Sequence, residues 1–214
     1  VREAQQLQAP VLPANSELAA ATTELLEDDA HLECVRALDR SFATQAARDL
    51  FIGESRLERI DLSATRLNSL SMRDVILDYC NLANANWERP FLKRSVFQKC
   101  RLTGWTTNEA RFENVMLRDC SAQYAGFIGA RFNKVRFEKC IFMEADFENS
   151  DLSGVVFSEC DLIGAQFSGA RMAKTDLRTS KIDRIIVGPA ELRGAIVEPE
   201  QAVMVAELLG LTVA

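Results

Sequence analysis

The sequence predicts an all-β solenoid, a quadrilateral parallel β-helix of stacked coils with a capping helix at its C-terminal end. Three observations predict it. An apolar residue returns at every fifth position from Leu32 to Val197 without insertion or deletion, and (197 − 32)/5 + 1 gives 34 pentads, broken in character only by Thr107. Two residues before most of these central positions sits a small or β-branched side chain, as at Ala85, Val115, Ala130 and Ala145. Five of the six cysteines stand at 80, 100, 120, 140 and 160, a spacing of twenty residues without drift.

A repeat this regular organises everything else. The central position and the one two before it share an apolar environment, while their neighbours are mostly polar, which is the alternation of a short strand. A corner every five residues closes four such strands into one coil of twenty. Residue n then lies over n+20, and stacked coils share a core that none could bury alone. With 34/4 = 8.5, about eight coils are expected. At a strand spacing of about 4.8 Å they make a rod roughly 40 Å long.

The columns support four sides rather than three. Cys80, Cys100, Cys120, Cys140 and Cys160 fill one inward column, and Ala110, Ala130, Ser150 and Ala170 fill the opposite one. Val75, Val115, Val135 and Val155 precede the cysteines, and Ala85, Ala125, Ala145 and Ala165 follow them. In the first coils Ala37, Ala47, Arg40 and Gln45 occupy core slots, so those coils are expected to be irregular or covered. Trp105 in a small-residue slot, followed by Thr107 in a central one, inverts the usual order. A volume swap that keeps the core filled is favoured over a local bulge.

The triplets Ala145-Asp146-Phe147, Ser150-Asp151-Leu152 and Cys160-Asp161-Leu162, with Cys80-Asn81-Leu82 and Ala85-Asn86-Trp87, resemble the A-(D/N)-L-x-x pattern of the pentapeptide-repeat proteins. The resemblance covers residues 30 to 197 and implies a right-handed quadrilateral β-helix. It divides the chain into an N-terminal arm with a short capping helix (1–30), the β-helix (31–197) and a C-terminal capping or dimerisation helix (198–214).

Both ends of a β-helix need covers. Residues 1–16 hold two prolines and no periodicity and read as an arm, and Ser16 opens a short helix through Leu25-Leu26 over the first coil. Glu198-Pro199-Glu200 opens a second helix, with Ala202, Val205, Ala206 and Leu209 on one face and Gly210 as its stop. Gly194-Ala195-Ile196-Val197, Pro199-Glu200-Gln201-Ala202 and Leu208-Leu209-Gly210-Leu211 look like the ending of many bacterial pentapeptide-repeat proteins, which in some joins two rods end to end. A homodimer contact and a monomer cap both fit. Met204, Val205, Leu208 and Leu209 are the candidate residues, with Met204 and Leu208 near the edge of the apolar face.

Stacked cysteines have parallel Cβ vectors, a poor geometry for disulfides. No C-x-x-C is present, and the single histidine, His31, lies far from the ladder. The cysteines read as small buried hydrophobes, which points to no metal and to a reducing, cytoplasmic location. No apolar run approaches a membrane span, and no secretory leader is legible from Val1 onward. A filled rod offers no concave site for converging catalytic groups, and no glycine-rich phosphate loop is present. A non-enzyme without cofactor is expected.

The best-known proteins of this repeat class mimic duplex DNA, bind DNA gyrase and protect it from quinolones. Net charge here is −6, but residues 1–30 contribute −5 and residues 198–214 contribute −3, so 31–197 carry +2. A duplex presents one negative charge about every 1.7 Å, and no side of the rod offers an acidic stripe. The side centred on positions 92, 112, 132, 152 and 172 is basic, with Arg111, Arg131 and Arg171 in one column. No aromatic stacking residues accompany them, so nucleic acid is not the expected partner. The register also leaves no inserted loops of the quinolone-resistance kind. Gyrase mimicry is therefore the alternative reading.

Ile76, Val96, Met116 and Val156 form an outward apolar stripe interrupted by Arg136, and Ile141, Met143 and Ile163 lie outward on the adjoining side. A contiguous stripe implies contact. Either the N-terminal arm folds back over it or an unidentified protein partner binds there. The chain reads as a rigid protein-binding or scaffold surface.

Overall fold

The computed structural model describes residues 6–15, 17–20 and 26–213. Strands β1 (Ala19–Ala20), β2 (His31–Glu33), β3 (Val35–Leu38), β5 (Phe51–Glu58), β7 (Ser71–Asp78), β9 (Phe91–Gln98), β10 (Arg111–Arg118), β11 (Arg131–Glu138) and β12 (Val156–Ser158) form one parallel sheet. β4 (Ala46–Arg48), β6 (Arg66–Asn68) and β8 (Asn86–Glu88) form another. The eight-residue strands bend around the corner between the first side (central residues Met72, Leu92, Phe112, Phe132) and the second (Leu77, Phe97, Leu117, Phe137). The cysteine side, the third, is joined by single bridges such as Asn81 with Arg101 and Ser121 with Ile141, and β4, β6 and β8 lie on the fourth.

Within the rod every bridge pairs n with n+20, the period of the cysteines. Counted on β3, β5, β7, β9, β10 and β11, the strand ladder runs for about six turns, fewer than the eight coils expected. Beyond it tight corners leave one bridging residue per side, as in Asp161 with Lys181 and Asp176 with Ile196, so the stack continues without extended strands.

From Asp29 to Arg184 each corner places one residue in the left-handed region, among them Thr44 (φ 64°), Asp74 (57°), Asn114 (54°) and Thr179 (65°). For a residue with a Cβ this conformation costs about 1–2 kcal/mol. Corner N–H groups offset it by donating to the next coil, as from Tyr79 to the Gln98 carbonyl at 3.0 Å. Gly104 takes the same corner at φ 67° where a Cβ would stand 2.6 Å from Asn84 Oδ1.

The lumen is filled by side chains, apart from an apolar cavity of about 20 Å³ among Leu57, Leu62, Leu67 and Leu77 in its N-terminal half. Phe112 stacks on Phe132 at 4.8 Å, Phe127 on Phe147 at 4.9 Å and Phe147 on Phe167 at 5.3 Å, each pair twenty residues apart. Trp105 lies edge-on to Trp87 at 5.3 Å and to Phe127 at 5.9 Å. The bridges from Asn86 through Thr106 to Gly126 stay in register, so its inversion with Thr107 is a volume swap and no bulge.

At the N-terminal end the first coil is covered, as one of the two alternatives had it, by β1 pairing with β3 and by the buried Leu26. It is also regular, with Ser41 bridging Asp61 and β4 pairing β6, while Arg40 and Gln45 are exposed. The expected N-terminal helix is corrected. Ala19–Ala20 is a strand that pairs with Val35 and Arg36, not helix, and Glu17, Leu18 and Leu26 are turn or bend; Ser16 and residues 21–25 of the expected helix lie outside the described residues. Backbone pairing with the first coil satisfies an open sheet edge directly, which a helix there would not.

Helix α1 (Pro199–Leu208) starts at Glu198 with a capping box, Glu198 N–H donating to Gln201 Oε1 at 2.8 Å. Gly210 follows its end at φ 86°. The expected inward face is corrected in part. Val205 and Ala206 are half-buried, as is Met204, but Ala202 and Leu209 are exposed and Gln201 is the buried residue of α1. Gln201 Nε2 donates to the Leu177 and Ser180 carbonyls, at 2.9 and 2.7 Å, and so the helix is held to the last coil through a polar anchor.

Candidate interaction surfaces

The cysteine ladder lies inside. Cys80, Cys100, Cys120, Cys140 and Cys160 are buried free thiols, each pointing its sulfur at a second-side carbonyl of the preceding coil. Cys120 Sγ to the Phe97 carbonyl is 3.5 Å and Cys140 Sγ to the Leu117 carbonyl is 3.4 Å. Among the described residues no group of His, Cys, Asp or Glu gathers as a metal site. No helix among them is long and apolar enough to cross a membrane.

On the second side Ile76, Val96 and Met116 are strand-paired in one outward column that continues through Arg136 to Val156. All are half-buried. Arg136 is drawn to Glu138 at 3.1 Å, and Glu138 also takes Arg118 at 2.8 Å. Burial raises the Glu138 carboxyl, but the two guanidinium groups outweigh that and hold it below the usual carboxylate range.

On the first side Arg111 and Arg131 are exposed strand partners with no carboxylate bound to either among the described residues. Arg171 differs, pairing with Asp151 at 2.8 Å, and Asp151 stands between it and Arg131. Lys93 pairs with Glu113 at 2.9 Å, Asp74 with Arg94, and Glu191 takes the Gly169 and Gly188 N–H groups. These four acids, Asp74, Glu113, Asp151 and Glu191, are engaged, whereas Arg111 and Arg131 keep their charge free among the described residues.

The N-terminal arm runs along the corner between these two sides. Val11 N–H donates to Asp74 Oδ1 at 3.0 Å, and Gln8 N–H to Asn114 Oδ1 at 3.1 Å. Asp74 and Asn114 are only 3% and 5% exposed, while Glu54 and Lys134 at equivalent corners are open. Arg94 Nε reaches Asp74 Oδ1 at 2.6 Å. Burial pushes the Asp74 carboxyl up, but the Arg94 hydrogen bond, the Val11 N–H and the charges of Arg94 and Arg73 outweigh it, leaving it below the usual carboxylate range. Asp74 and Asn114 were not singled out from sequence. Their column and the two prolines were visible, but Asp and Asn also occupy corners that nothing covers, such as Asp39, Asp49 and Asn149.

At the C-terminal end Met204, Val205 and Leu208 border a groove against Ile182 and Ile185. Leu208 and Leu209 are exposed beside Leu211 and Val213.

Two family models match the chain, a pentapeptide repeat region over residues 70–141 and pentapeptide repeats (8 copies) over residues 140–178. No curated protein matches it. Solved structures similar to it include HetL, a pentapeptide repeat protein involved in heterocyst differentiation regulation from the cyanobacterium Nostoc sp. strain PCC 7120. It is 19% identical over 79% of this chain and 90% of that one, with a TM-score of 0.40. Full-length QnrB1, a plasmid-mediated fluoroquinolone resistance protein, is 18% identical over 82% of this chain and 100% of that one, with a TM-score of 0.37. Rfr23 from the cyanobacterium Cyanothece 51142 is 11% identical over 80% and 91%, with a TM-score of 0.23.

Proposed function

Because this chain belongs to the pentapeptide-repeat family, we propose that it is a non-catalytic rod whose outer walls bind a protein partner, in a reducing compartment such as the cytoplasm. The observation that carries this reading is the filled lumen. With Phe112, Phe127, Phe142 and Phe147 fully buried inside, recognition is left to the walls. Those walls carry the apolar column through Val156, the outward Ile141, Met143 and Ile163, and the unpaired Arg111 and Arg131. Apolar contact supplies affinity and the cationic side selects an acidic partner. Free thiols throughout support the reducing location.

The test is capture of partners from the source cell on the full chain, with gyrase probed directly, beside a chain carrying Val156→Lys and Arg131→Glu. A partner retained by the native chain and lost at least tenfold by the variant, at unchanged thermal stability, is the expected result. Protection of gyrase supercoiling from ciprofloxacin would replace this reading with the DNA-mimic one. A turnover that follows the folded chain and vanishes with one surface carboxylate would overturn it.

A further inference from the structure

The arm meets the rod with a periodicity that matches it. Leu7, Pro10 and Pro13 are half-buried at three-residue intervals, as is Leu12, while Gln8, Ala9 and Ala14 are exposed and Val11 is 68% exposed. The two N–H groups given to the rod, from Gln8 and Val11, are also three residues apart. Residues 6–14 contain no helix or strand. Proline fixes φ near −65° and pushes the residue before it into the extended region, so this segment is built for polyproline II geometry. That helix has three residues per turn and rises about 3.1 Å per residue, roughly 9.3 Å per turn. The acceptors Asp74 and Asn114 are forty residues apart, two coils, or about 9.6 Å at the strand spacing. One turn of the arm therefore spans two coils of the rod.

We infer that this corner is a docking track for an extended peptide of the pattern apolar-x-x-Pro-x-x-Pro, and that residues 7–13 are its resident, displaceable occupant. The partner it fits is a protein presenting such a segment. Asp74 and Asn114 read backbone N–H groups two coils apart, Arg94 between them holds the Asp74 carboxylate in place, and the column of Ile76, Val96 and Met116 lies beside the track. Main-chain recognition of this kind depends on spacing more than on side-chain identity. A tethered arm acts at an effective concentration in the millimolar range, so it competes strongly with any peptide from outside. Proline cannot donate, so placing it at 8 and 11 removes both seats while keeping the extended geometry.

The inference rests on the reading of the rod as a protein-binding surface. It is tested with no partner present, so its failure and a failed partner capture are told apart. A fluorescent peptide of residues 6–15 is titrated into the native full chain and into a chain carrying Gln8→Pro and Val11→Pro. Arm release is read from elastase cleavage after Ala14, a bond that no proline follows in either chain. The expected result is a released arm and at least tenfold tighter peptide binding by the variant. That binding is lost when Asn114→Ala is added, with or without Asp74→Ala, and lost for a peptide whose prolines are shifted by one residue. Equal affinity for both chains, no binding to the released chain at millimolar peptide, or an arm that stays protected in the variant would each overturn the assignment.

Discussion

At Cys120 the sulfur does more than fill space. It takes up a carbonyl at the corner between the second and third sides, as do its four neighbours in the column, and Ser180 continues the same task with its hydroxyl on the Phe157 carbonyl at 3.1 Å. A spacing of twenty was legible in the sequence, but the donor role was not, because a small hydrophobe and a weak S–H donor are the same letter. Asp74 shows the same limit on the outside. Its native carboxyl lies below the ordinary value, so its contribution is complete above the unfolded pKa, about 3.9, and is lost as pH falls through the lower native one. Acidification below about pH 4 is therefore expected to expose the arm to proteolysis near Pro10. Asp74→Asn keeps an acceptor for Val11 without the titration, so its arm should show no such pH dependence.

Among the elements, α1 separates what a pattern contains from what packing selects. Its limits were readable from Pro199 and Gly210, whose effects are local. Its rotation was not, since the rod end demands donors for the last free carbonyls, and Gln201 meets that demand better than an alanine-and-valine face. Gln201→Leu strands the carbonyls of Leu177 and Ser180, a loss of about 1–3 kcal/mol, and urea unfolding should show the midpoint fall with little change in slope. The arm is a second such element. Its prolines foretold an extended segment, and only the coil spacing of the wall gave that segment a seat.

For the molecule as a whole, the exposed Leu208, Leu209, Leu211 and Val213 are an apolar end larger than a monomer cap needs. We propose that two rods meet there. Sedimentation should give a dimer for the native chain at micromolar concentration and a monomer for Leu209→Lys with Leu211→Lys, at unchanged melting temperature; a native monomer at about 100 μM would exclude the contact. By itself the sequence determined the stacked square column, its register of twenty and the residues of each inner column, because an unbroken period leaves one way to bury the fifth residues. The tertiary structure alone decided the path of the arm, the pairing of first-side charges and the polar anchor of α1. Those depend on which groups meet across coils and at the open ends, where the repeat imposes nothing.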